Sequence, residues 1–184
     1  MGFLGGISWA ILLTKICKLY PNYNVNRLLE RFFFFYHQWP WLEFPVIIEE
    51  NPNSEESYIN DMMKIIIPVN PFINSTHNVS TSTLFIIETR LKWGYNTMIK
   101  IFNRDAPCKE LFKKYDFFSA YNDYIEINIH GKDDDEYIQW RGLIESKLRQ
   151  LTLTLEEFEH SNRLIVHPFP IPSGKSSMPS HPHC

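Results

Sequence analysis

The stretch Tyr124-Ile125-Glu126-Ile127-Asn128-Ile129-His130 decides the fold class read from this chain. Ile125, Ile127 and Ile129 alternate with Glu126, Asn128 and His130, the pattern of a strand with one face buried. Gly131 turns the chain, and Asp133, Asp134 and Asp135 stand where a helix begins, their charge matching its positive end. That helix carries Tyr137, Trp140, Ile144 and Leu148 on one face and is expected to end near Lys147 and Arg149. Beyond it, Leu151, Leu153 and Leu155 alternate with Thr152 and Thr154, which predicts another strand. Residues 159–162 read as a turn and Arg163 to His167 as a last strand. On the other side, Pro107 can open a short helix through Tyr115. A longer helix is expected from about Ser80 to Ile101, with Leu84, Ile87, Leu91, Tyr95 and Met98 as its stripe and Glu88 and Lys92 as an i,i+4 ion pair. Lys64 to Pro68 reads as a short strand. The expected class is therefore α+β: a small antiparallel sheet covered by helices on one face.

The first part of the chain reads differently. Residues 7–20 are apolar nearly all round, with Ile7, Trp9, Ile11, Leu12, Leu13, Ile16 and Leu19, and such a helix is normally surrounded by protein. Pro21-Asn22 breaks it. A second helix follows, with Val25, Leu28, Leu29, Phe32, Phe33 and Tyr36 at helical spacing, Arg27, Glu30 and Arg31 on its other side, and an end before Pro40. This helical hairpin must dock on missing sequence or on the rest of the chain. Gly2 to Leu13 resembles a signal-peptide core but lacks a basic stretch before it and a small-residue cleavage site after it, and is too short to span a bilayer. It reads as a buried helix whose preceding sequence is missing. Residues 49–61 are a polar linker, and the proline- and serine-rich residues after Pro168 are expected to be disordered.

At 184 residues, the chain has room for one domain, or one domain plus a fragment. It is 44% hydrophobic and 15% aromatic, enough for a packed core. A formal charge of −3 excludes nucleic-acid binding by bulk charge, so any such contact must be a local patch. Cys17, Cys108 and Cys184 are far apart and form no disulfide framework or zinc pattern, which points to a reducing compartment. Asn74-Ser75-Thr76 and Asn78-Val79-Ser80 match the glycosylation sequon; their other reading is as cap and turn residues.

No enzyme site is visible in the residues themselves. Asp133 to Asp135 lack the rigid strand, third carboxylate and Gly-Ser turn that two-metal nucleotidyl transfer needs, so helix-start electrostatics is the preferred reading. His181, His183 and Cys184 have no second ligand set. His37, His77, His130, His160 and His167 have no nucleophile pattern nearby, and there is no glycine-rich phosphate loop. The signature of an RNA-recognition sheet is absent, and the run Phe32 to Phe35 reads as core before it reads as a stacking platform.

Several segments in order resemble the eukaryotic poly(A) polymerase family. Gly5-Gly6-Ile7-Ser8-Trp9-Ala10, then Cys17-Lys18-Leu19-Tyr20-Pro21-Asn22, Arg31-Phe32-Phe33 and Gln38-Trp39-Pro40-Trp41, are similar to the family's central-domain signature. Asn74-Ser75-Thr76-His77-Asn78-Val79-Ser80, the aromatics Phe117, Phe118, Tyr121 and Tyr124, Trp140-Arg141-Gly142-Leu143-Ile144-Glu145-Ser146-Lys147-Leu148-Arg149, and Val166-His167-Pro168-Phe169 continue the resemblance. It implies the end of a central helical domain over residues 1–45, a linker over 46–63, an RRM-like (ferredoxin-like) RNA-binding domain over 64–168, and a disordered tail over 169–184.

The resemblance further implies addition of adenylates from ATP to RNA 3′ ends with Mg²⁺ or Mn²⁺, in a catalytic domain that this chain lacks. No catalytic, cofactor or metal residue is therefore carried over, and the chain alone is expected to be inactive. Two RNA contacts are carried over: Arg31, before the paired phenylalanines, and Lys92, before Trp93-Gly94. Both also read as solvated helix-face charges. The implied partners are an RNA 3′ end and polyadenylation factors, with no DNA, no membrane and a monomeric state. The nucleus is the expected compartment, with the cytoplasm left open because no basic targeting tail is present. The alternative is a noncatalytic module that docks on RNA-processing factors. Pro68-Val69-Asn70-Pro71 and the short linker depart from the family pattern.

Overall fold

The computed structural model describes residues 2–48, 59–158 and 164–168. Its elements are α1 (Gly6–Leu19), α2 (Val25–Tyr36), α3 (Thr81–Phe102), a 3₁₀ turn (Cys108–Phe112), α4 (Phe117–Ala120) and α5 (Asp134–Phe158). Local chemistry places the helix ends. The Asn24 side chain accepts a hydrogen bond from the Arg27 amide at 3.0 Å and opens α2. Ser80 and Thr83 form a reciprocal capping box at the start of α3. Arg104, with φ 66°, turns the chain out of α3 in the left-handed region. Asp133 accepts from the Glu136 amide at 2.8 Å, so the acidic run does stand at a helix start.

The hairpin docks on the rest of this chain. Ile11, Leu12 and Ile16 of α1, Phe32 and Tyr36 of α2, and Leu84, Ile87 and Leu91 of α3 share one buried cluster, with Trp41, Val46, Met63 and Ile65 filling its base. The buried Tyr36 hydroxyl donates to the Leu12 carbonyl at 2.9 Å, so this ring closes α2 onto α1 without an unsatisfied polar atom. Helices α2 and α3 approach closely because Gly94 has no side chain: an added Cβ would overlap the Phe33 ring.

A polar hub replaces the missing sheet at the base. Asn74 Oδ1 accepts from the amides of Ile65 (2.9 Å) and Thr76 (3.1 Å), and its Nδ2 donates to Asp61 Oδ2 (2.7 Å) and the Met63 carbonyl (2.8 Å). Ser75 Oγ donates to the Ile65 carbonyl and meets Ser8 Oγ of α1, both at 2.9 Å. Asn74 is buried, which agrees with the cap-and-turn reading of the first sequon.

The α+β expectation is overturned. Among the described residues there is no strand and no sheet; an RRM-like or ferredoxin-like sandwich is not present. The run Lys64 to Pro68 makes only isolated bridges, Val46 with Ile65 and Ile66 with Asn74. Residues 124–130 lie outside any element, with Ile125 68% exposed, because no neighbouring strand completes their hydrogen bonds. The Leu-Thr run continues α5 past Arg149 to Phe158 instead of starting a strand. There Thr152 Oγ1 donates to the Leu148 carbonyl at 3.0 Å, so the β-branched residue is satisfied within the helix. Leu148, Thr152 and Leu155 share helical spacing as readily as Leu151, Leu153 and Leu155 share the strand period. Residues 164–168 are without regular structure. No Glu88–Lys92 ion pair forms; among the described residues the i,i+3 and i,i+4 pairs are Arg27–Glu30, Lys113–Glu110 and Arg141–Glu145. Most of the polar linker, the 159–162 turn, and the tail with His181, His183 and Cys184 lie outside the described residues.

Candidate nucleic-acid interface

Arg27, Arg31 and Phe34 recur at i, i+4 and i+7 and so share one side of α2. The Arg31 guanidinium carbon lies 5.8 Å from the Tyr20 ring centre and 5.3 Å from that of Phe34. Its Nε is buried and has no hydrogen-bond partner. A buried, unmatched donor on a cation is costly. Arg27 sits 5.1 Å over Phe102 and pairs with Glu30 at 2.9 Å.

Phe34 in turn meets Tyr95 of α3 at 5.9 Å, and Tyr95 stacks on His37 at 4.0 Å with 13° between the planes. His37 Nδ1 donates to the carbonyls of Phe34 (2.7 Å) and Phe33 (3.0 Å), which holds its ring in that plane. Lys92 is exposed one turn before Tyr95, on the same stripe of α3. Arg27 opposite Phe102 and Phe34 opposite Tyr95 make α2 and α3 antiparallel. Arg31 is then level with Met98, and Lys92 lies about 9 Å further along at 1.5 Å rise per residue. The two carried-over cations therefore sit on neighbouring helices without touching. Sequence reasoning left out Tyr20, Tyr95 and His37, whose part in the surface comes from contacts between elements.

A second aromatic group lies elsewhere. His167 packs against Phe3 (5.2 Å), Phe117 (5.3 Å) and Tyr121 (5.3 Å), and Arg90 caps Tyr115 at 3.6 Å. Burial, and then a hydrogen bond with Tyr115, push the Tyr121 hydroxyl well above its ordinary range. These residues tie the stretch after α3 to residue 167 and read as packing. Among the described residues, no cluster of His, Cys, Asp and Glu could hold a metal ion, and no helix is long and apolar enough to cross a membrane.

Comparison with known proteins divides the chain into two regions. The model of the poly(A) polymerase central domain matches residues 1–114. The chain belongs to the poly(A) polymerase family. A second family model, the poly(A) polymerase predicted RNA binding domain, matches residues 116–178. Nuclear poly(A) polymerase 4 of Arabidopsis thaliana is 37% identical over 182 residues, covering 92% of this chain and 24% of that protein. Nuclear poly(A) polymerase 1 of the same plant is 37% identical over 190 residues, 98% of this chain and 26% of its own length. Poly(A) polymerase of Dictyostelium discoideum is 37% identical over 180 residues, 91% of this chain and 22% of its own. The chain thus spans about a quarter of the length of these curated relatives. In this poly(A) polymerase chain the two matched regions meet at residue 115, whereas the sequence reading placed the change of unit at 46–63. Arg31 and Lys92 both fall in the central-domain match.

Proposed function

We propose that this part of a poly(A) polymerase holds single-stranded RNA near its 3′ end, and that Arg31 and Lys92 contact the RNA backbone. The observation that carries the reading is the half-buried Arg31 guanidinium, near the Tyr20 and Phe34 rings at 5.8 and 5.3 Å and in no ion pair among the described residues. A phosphate oxygen is the acceptor that fits a planar, permanently charged donor. Adenylate transfer from ATP with Mg²⁺ or Mn²⁺ is proposed for the longer protein, acting in the nucleus as the names of the plant relatives indicate for them. The chain alone, whose sequence has no Gly-Ser turn followed by paired aspartates, is expected to make no poly(A).

Titration of a labelled single-stranded oligoadenylate with the pure chain tests the reading. Arg31→Ala should weaken binding roughly tenfold, the scale of a charge-assisted hydrogen bond. Lys92→Ala should weaken it less and lower the dependence on salt by about one phosphate contact. Binding unchanged in both variants would remove these residues from the site. Elongation of RNA by the pure chain with ATP and Mg²⁺ or Mn²⁺ would overturn the expectation of inactivity.

A second reading, a module docking on polyadenylation factors, is favoured by Trp9 and Leu13, exposed one turn apart on α1. Under it, Trp9→Ala abolishes protein capture and Arg31→Ala leaves it intact.

A further inference from the structure

The contacts around Arg31 join into one ladder of flat groups: His37, Tyr95, Phe34, Arg31, Tyr20 and Tyr23. Its inner end is closed, since His37 is held by two backbone carbonyls. The outer end is open. Tyr23 stacks on Tyr20 at 5.2 Å with 23° between planes, and Tyr23 remains 43% exposed. Tyr20 covers one face of the Tyr23 ring, so the exposed face points away from the ladder.

The backbone beneath Tyr23 is held on both sides. The Tyr20 amide donates to the Ile16 carbonyl at 3.0 Å, the Tyr23 amide donates to the Tyr20 carbonyl at 3.2 Å, and Asn24 next to it caps α2. Further in, on the other side of Tyr20, the charge is positive: Arg31 stands two rungs from Tyr23. A flat ring face with a cation further along the same ladder suits single-stranded nucleic acid, a base on the ring and a phosphate of a nearby nucleotide on the arginine.

We infer that Tyr23 is a base-stacking platform for single-stranded RNA, on the same strand whose backbone meets Arg31 further along. The inference rests on the RNA-holding reading above and names a residue and a contact that reading does not contain. Stacking is tolerant of base identity because every base has a π face, so the platform is expected to accept any base.

The test compares two fluorescein-labelled single strands of equal length, an oligoadenylate and its abasic counterpart, bound to the chain and to variants at Tyr23. Tyr23→Ala and Tyr23→Leu should weaken oligoadenylate binding at least fivefold, and Tyr23→Trp should keep or strengthen it. None of the three should change binding of the abasic strand. Circular dichroism of each variant checks that the hairpin is intact, and Tyr23→Leu keeps the bulk while removing the flat ring. Wild-type affinity for oligoadenylate in Tyr23→Leu, with Arg31→Ala still weakened, would overturn the platform and leave the RNA reading standing. Failure of the wild-type chain to bind either strand would overturn both. Equal loss on oligoadenylate and abasic strands would also overturn the platform, since it would place Tyr23 against the phosphates.

Discussion

The carboxylate of Glu156 accepts hydrogen bonds from Ser80 Oγ at 2.7 Å and from the Ser82 amide at 3.2 Å, at the start of α3. Late α5 thereby supplies a negative charge to the first-turn amides of another helix, where charge and dipole agree. Ser82 Oγ accepts from the Val166 amide at 3.1 Å, so the same turn holds a second distant segment. Glu156→Ala should cost about 1–2 kcal/mol, and Glu156→Gln about half that, because the amide keeps the acceptor and loses the charge. Amide hydrogen exchange checks it: amides of α5 near Thr152 should exchange faster in Glu156→Ala, while those of α1 and α2 keep their protection.

Two glycines within helices should respond in opposite directions. Gly94→Ala places a methyl group in the Phe33 ring, which is itself braced edge-on by Phe32 at 5.4 Å. Overpacking costs about 1–3 kcal/mol and outweighs the gain of about 1 kcal/mol in helix propensity. Gly142 has open space around the position of a Cβ. Gly142→Ala should therefore stabilise α5 by about 1 kcal/mol. Thermal melts of the two variants should shift to lower and higher temperature respectively.

Asn74 uses both ends of its amide, so isosteric replacement separates them. Asn74→Ala strips partners from Ile65, Thr76, Asp61 and Met63 and should cost about 3 kcal/mol in denaturant unfolding. Asn74→Asp keeps the acceptor and sets a second carboxylate against Asp61, 2.7 Å from the present nitrogen. Mutual repulsion would raise the folded-state pKa of that pair. The variant should then lose stability as pH rises through the carboxylate range, and approach the parent again in acid.

Burial, and to a lesser degree the charge of Arg90, hold His167 below its ordinary pKa of 6.5. A folded-state pKa below the unfolded one means that the unfolded chain binds the proton more readily. The contribution of His167 is fully present above pH 6.5 and is lost as pH falls from there toward its depressed value. His167→Phe should keep the aromatic packing and flatten the stability–pH curve below pH 6.5. A curve as steep as that of the parent would show that another group controls the acid limb.

The helical hairpin was legible because its punctuation is local: Pro21-Asn22 stops α1, Asn24 caps α2, and Pro40 lies beyond its end. The strands were misread for a physical reason. Alternation at Ile125, Ile127 and Ile129 says which side chains would face a core, but a strand exists only when a neighbour takes its backbone hydrogen bonds, and no spacing within the run reports that neighbour. The Leu-Thr run fits both periods, and Glu156, anchored on Ser80, sits at the helical spacing. Arg31 entered through the family motif, whereas Tyr20, which it faces, caps α1, and Tyr95, which meets Phe34, lies on α3, and no local pattern announces either.

The bonds from Ser8 to Ser75, from Lys64 Nζ to the Leu42 carbonyl at 2.9 Å, and from the Val46 amide to the Lys64 carbonyl at 2.7 Å all join residues before position 49 to residues after position 58. With Phe33 seated against Gly94, they make the two sides of that interval halves of a single core. Continuity of the chain there is thus dispensable in principle. A polypeptide ending at residue 48 and a second one starting at residue 59 carry complementary surfaces, and co-expressed they should reassemble as a split protein, each insoluble without the other.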